Sequence, residues 1–181
     1  MLFRSFLLGV LAAAMECAAT AAVGLARPSI AAIRTQYELL YAWIYYSDHP
    51  IECKACLSGQ SDMMLPGAAK KYIATAFPTA AARMGVLEKN RTRPLDDPYA
   101  VLSAHVHGAT VHTIPKYVGA HGFVSADSLC SEISKLQMTT VEYLEDVLLS
   151  LFAHDWMALP QGVRDRVNVR LNASDLKRVC T

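Results

Sequence analysis

Charge is scarce in this sequence. Asp, Glu, Lys and Arg make up 18% of the 181 residues, where about 25% is usual for a soluble domain. The net charge is +1, and the basic residues are scattered rather than grouped. A protein holding nucleic acid through phosphate contacts would carry a basic stripe, so nucleic acid is excluded as a partner. Signatures of catalysis are missing as well. The chain has no G-x-S-x-G, no phosphate-cradling G-x-x-x-x-G-K-[ST], no G-x-G-x-x-G and no H-E-x-x-H. No residue is therefore assigned a catalytic or cofactor-binding role, no cofactor is expected, and the chain is not read as an enzyme. No repeat period emerges. Apolar–polar alternation is nowhere sustained, so little or no β-structure is expected.

Apolar residues take the space that charge leaves. They make up 53% of the chain, and the mean hydropathy is +0.23. A chain of this length buries a real core. The surplus beyond that suits a protein that hides surface in a membrane or a larger assembly.

The surplus is concentrated in "LLGVLAAAMECAATAAVGLA", residues 7–26, with Glu16 near its middle. As a secretory signal it has Arg4 as its basic start, Phe6 to Met15 as apolar centre and Ala19-Thr20-Ala21 as cleavage site. The sequons at Asn90 and Asn172, with four cysteines left after cleavage, belong to that alternative: a secreted or lumenal helical protein held by disulfides. As a mitochondrial presequence it has Arg4, Arg27 and Arg34 with Ser5 and Ser29, and is acid-poor apart from Glu16. As a retained helix, Phe6 to Ala26 matches the roughly 20 residues needed to span a bilayer.

The energetics of the third reading are close to balance. One Phe, four Leu and two Val contribute roughly −2 to −4 kcal/mol, and a central acid costs about 2.5–3.5. Such a helix needs protein neighbours. Gly9, Ala13, Cys17 and Ala21 repeat every four residues, the spacing that lets helices approach closely, with Glu16 and Thr20 beside them. These six are the expected helix-packing interface, and an acid at this depth calls for a partner.

Downstream, Arg27-Pro28 is expected to end the first helix and Ser29 to cap a second. That helix culminates in "LLYAWIYY", where Tyr41, Trp43, Tyr45 and Tyr46 are the expected membrane-interface aromatics. Residues 47–67 read as a loop, with short helices after it. "KNRTRPLDD", residues 89–97, is the most polar stretch and the expected internal boundary. Asp97 and Pro98 open a helix running to Pro115. Another starts at Ser125, and Thr139 with Glu142 forms a capping box for a further one. Pro160 opens a helix and Asn172 caps a last turn. Four segments result: 1–26, a transmembrane or targeting helix; 27–47, an aromatic-rich amphipathic helix; 48–96, loop-rich with short helices; 97–181, a helical domain with αα-hairpins.

Three clusters carry possible chemistry. His49, Cys53 and Cys56 offer three zinc ligands and a second alternative, a small zinc protein, but no closing pair follows. His105 and His112 share a helix face two turns apart, too far for one metal, with His107 nearby. Glu142, Glu145, Asp146 and Asp155 read as a solvated face; Arg164, Asp165, Arg166 and Arg170 read as a basic patch for a partner. The expectation is a mainly α, single-pass, non-catalytic accessory subunit of a membrane complex. Its partners are a lipid bilayer and other subunits, and its expected place is a mitochondrial inner-membrane respiratory-chain or ATP-synthase assembly.

Overall fold

The computed structural model describes residues 2–108 and 127–180. They are mainly helical, with no strand among them. The helices are α1 (Leu2–Ala22), α2 (Ala26–Asp48), α3 (Pro50–Leu57), α4 (Pro66–Ala76), α5 (Pro78–Lys89), α6 (Tyr99–His107), α7 (Asp127–Phe152), α8 (Gln161–Arg170) and α9 (Ala173–Cys180). A 3-10 segment, Ala153–Ala158, follows α7.

α1 and α2 form an antiparallel hairpin. The turn comes earlier than Arg27-Pro28. Gly24 takes φ 78°, Leu25 N–H donates to Thr20 O at 2.8 Å and Gly24 N–H to Ala21 O at 3.0 Å. This paired 6→1 and 5→2 closure needs a left-handed residue, which glycine supplies without Cβ strain. Pro28 then sits in the first turn of α2, where a missing N–H costs nothing. Ser29 lies inside α2 rather than capping it, and its hydroxyl donates to Leu25 O at 2.7 Å.

α2 is the central element. It packs on α1, α4, α6 and α7, and twelve of its residues are buried. Its rings form the main core with Tyr143, Leu144, Val147 and Leu151 of α7, Ala69 of α4 and Cys53 of α3. Each fully buried large apolar side chain contributes about 1.5–3 kcal/mol relative to exposure. A second cluster joins Val86 and Leu87 of α5 to Leu149, Val167, Leu171 and Val179. A third joins Cys17 of α1 to Ile30, Ile33, Leu102 and Ile133.

Several expectations change here. α3 lies inside the stretch 47–67 expected as a loop, while α4 and α5 are short helices of the kind expected after it. The capping box does not form, because α7 runs through it. Thr139 and Thr140 instead donate back to Lys135 O and Leu136 O, at 2.8 and 2.9 Å. α6 stops at His107, with Gly108 left-handed at φ 60°. The stretch expected to carry that helix on to Pro115, His112 within it, and the expected helix start at Ser125 lie outside the described residues. Two caps stand as expected. Asp97 Oδ1 accepts from Tyr99 N–H at 2.9 Å, and Asn172 Oδ1 from Asp175 N–H at 2.9 Å.

Candidate functional site

The two faces of α1 differ sharply. Its inner face, which carries the small-residue stripe, rests on the chain's own α2. Ala13 and Cys17 are buried, and Ala21 packs at the edge of the same core. A Cβ on Gly9 would lie 2.8 Å from Leu39 Cδ1, so the end of that side chain packs directly over the glycine. Phe6 stacks on Tyr46 with centroids 5.5 Å apart. Thr20 donates to Glu16 O at 2.7 Å, and its Oγ1 lies 2.9 Å from Ser29 Oγ. The hairpin thus unites five of the six stripe residues with α2, while Glu16 is exposed.

The outer face is apolar and open. Leu7, Leu8, Leu11, Met15 and Val23 are between 42% and 67% exposed. Arg4–Ala22 has a mean hydropathy of 1.7 with 17% of the window buried, long and apolar enough to cross a membrane. The helix does not project from the fold as a free anchor; it runs along the side of the bundle.

The aromatic residues of α2 face the chain's own core. Tyr41, Tyr45 and Tyr46 are buried and Trp43 is half-buried, because the helix has neighbours on nearly every side. Tyr37 is fully buried and stacks on Tyr41, Tyr99 and Tyr143, with centroids 5.0 to 5.5 Å apart. Lys70 of α4 lies 5.2 to 5.9 Å from the centroids of these four rings and pairs with Asp97. Tyr37 donates to Asp97 at 2.9 Å, and the Tyr41 and Tyr143 hydroxyls are 2.9 Å apart. Nearby, the Glu52 carboxylate accepting from Tyr45 pushes that phenol up to about 12.

The zinc trio does not assemble. His49 is spent on Tyr45: its Nδ1 lies 2.8 Å from Tyr45 O, and its ring stacks 4.0 Å above the Tyr45 ring. Cys53 is buried in the main core, where burial pushes its thiol up and makes it a poor nucleophile. Among the described residues no three His, Cys, Asp or Glu side chains are placed to hold a metal ion. All five cysteines are free. Both sequon asparagines are engaged: Asn90 and Asn172 donate to Asp175 Oδ2 at 3.2 and 2.9 Å.

The largest correction concerns the acids of α7. Asp146 is fully buried between Arg93, at 2.7 Å, and Arg170, at 2.5 Å. Arg93 is also fully buried along its side chain. Glu142 accepts from Thr92 N–H at 2.8 Å and from Arg170 at 2.7 Å, and Arg166 pairs with Glu145. Residues 89–97 are therefore a strap fastened to α7. Arg166 and Arg170 of the basic patch meet this chain's own α7, while Arg164 bonds to Gln161. A signal was present: Glu142 and Asp146, four apart, share one face of α7, and Arg166 and Arg170, four apart, share one face of α8. Arg93 carried no comparable signal. Long arginine side chains hold part of α8 off α7, and an open groove of about 760 Å³ lies between α8, α7 and the strap.

Comparison with protein-family models, with curated proteins and with solved structures gives no match for this chain.

Proposed function

We propose that the chain is a non-catalytic accessory subunit of a large membrane complex, with α1 as its membrane-spanning helix. The observation that carries this reading is the outer face of α1. Contiguous exposed apolar surface of this kind marks a membrane or protein contact, and here it lies on a helix of spanning length. α2 would shield the inner face within the membrane. The Arg34–Glu38 pair of α2 is turned toward α6, where it meets His107 and Tyr99, and the two charges compensate each other. Glu16 on the exposed side costs about as much in hydrocarbon as the apolar residues gain. That balance favours a neighbouring subunit over bare lipid around it.

The mitochondrial inner membrane, in a respiratory-chain or ATP-synthase assembly, is the proposed setting. It is supported by the Arg-bearing, acid-poor flanks of α1 and the low overall charge. Glu16→Leu is expected to leave the chain in carbonate-washed inner membranes while lowering the amount of complex recovered on native gels. Unchanged complex recovery, or a chain found in the carbonate wash, contradicts the proposal.

A further inference from the structure

The two cysteines of α3 have no part in the proposed membrane contact. Cys53 and Cys56 are three apart on one unbroken helix, Pro50–Leu57. That spacing puts them on one face with Cβ atoms about 5–6 Å apart. A disulfide needs about 3.5–4.5 Å between the same atoms, so joining the two sulfurs directly would distort a turn of α3. An ion held between them needs no such approach. Cys53 is buried and Cys56 is half-buried, so the pair is shielded from water on one side and reachable from the other.

The surroundings of the pair select the ion. The Tyr46 hydroxyl accepts from Met64 N–H at 3.0 Å, forms a side-chain hydrogen bond with Cys56 and lies within electrostatic reach of Cys53. Its own proton is left for the Cys56 sulfur. Met63 and Met64 pack half-buried against the core that holds Cys53. The carboxylate and imidazole closest in sequence are both held by Tyr45: Glu52 accepts from its hydroxyl at 2.6 Å, and His49 Nδ1 lies 2.8 Å from its carbonyl oxygen. Structural zinc takes four ligands in a tetrahedron, twice what the two cysteines supply. Sulfur ligands select Cu(I). We propose that Cys53 and Cys56 bind one Cu(I) ion between their sulfurs. Binding displaces both thiol protons, and one monovalent cation on two thiolates leaves a single negative charge. The Tyr46 hydroxyl, donating to the Cys56 sulfur, stabilises that charge.

The test uses the full chain in detergent, reduced and free of oxygen, titrated with Cu(I) against bathocuproine disulfonate, a coloured competing chelator. One Cu(I) per chain is expected, with sulfur alone around it by X-ray absorption. Cys56→Ser is expected to weaken binding by about a hundredfold or more, near 2.8 kcal/mol. Cys130→Ser and Cys180→Ser, which change thiols elsewhere in the fold, are expected to keep wild-type affinity. Circular dichroism verifies that each variant keeps its helices, and Cys56→Ala replaces Cys56→Ser if that variant does not. Absence of stoichiometric Cu(I), nitrogen or oxygen ligands around it, wild-type affinity in the Cys56 variant, or an equal loss in the Cys130 or Cys180 variant overturns the proposal.

Discussion

Asp146→Ala is expected to lower the unfolding free energy by about 3–5 kcal/mol, the usual cost of removing one partner from a buried ion pair. Arg93 and Asp146 are both fully buried along their side chains, and Arg93 Nε has no partner even in the intact structure. Without the carboxylate, the Arg93 guanidinium keeps one backbone acceptor, Asp96 O at 3.3 Å, and the longer Glu142 contact at 3.6 Å. The strap 89–97 and α8 loosen together, since both are fastened to the same carboxylate. For a chain of this size the melting temperature falls roughly 2–4 °C per kcal/mol. Thermal and urea unfolding measure the effect. A loss under about 1 kcal/mol means that water already reaches the guanidinium.

The same cluster sets the acid response. Burial raises the Glu142 carboxyl, but hydrogen bonds from Thr92, Arg170 and the Arg93 backbone outweigh it and hold the group below the ordinary glutamate range. Its folded pKa is depressed, so its contribution is present above the unfolded value, about 4.3, and is lost as pH falls through the folded one. Asp146 acts in the opposite sense. Burial holds its carboxyl above the ordinary aspartate range despite the two arginines. Its contribution is full below the unfolded value and declines as pH rises through the folded one.

The second large effect is on membrane association. The double substitution Leu11→Glu with Met15→Glu is expected to release the chain from membranes into the alkaline wash. Each acid near the centre of a spanning helix costs about 2.5–3.5 kcal/mol, so the pair adds more than the apolar residues of α1 supply. The shift exceeds about a thousandfold in partition. Both side chains are exposed, at 58% and 67%, so the fold itself is expected to change by under about 0.5 kcal/mol per site. Retention of the double variant in the membrane pellet contradicts the membrane role of α1.

The sequence makes the helices legible because helical spacing is a local property. Pro78, Asp97, Pro160 and Asn172 mark boundaries that the fold uses. Partnership is not local. Gly9, Ala13 and Cys17 announce a close helix contact, but nothing in their spacing says that the partner is α2 of the same chain. The rings of "LLYAWIYY" read equally well as a membrane belt or a core, and only the positions of α4, α5 and α7 decide for the core. Residues 89–97 look like a linker because their polarity is visible and their partners, 50 residues away, are not. Buried charge reverses the ordinary inference from polarity to exposure.

The central claim is that one face of α1 meets lipid while the other is sealed on α2. Spin labels placed one at a time along α1, in the full chain in bilayers, test it most directly. Labels at Leu7, Leu8, Leu11 and Met15 are expected to relax with dissolved oxygen and not with an aqueous nickel complex. Labels at Ala13 and Cys17 are expected to be shielded from both. Nickel accessibility at the four outer positions, with no helical period along α1, would contradict it.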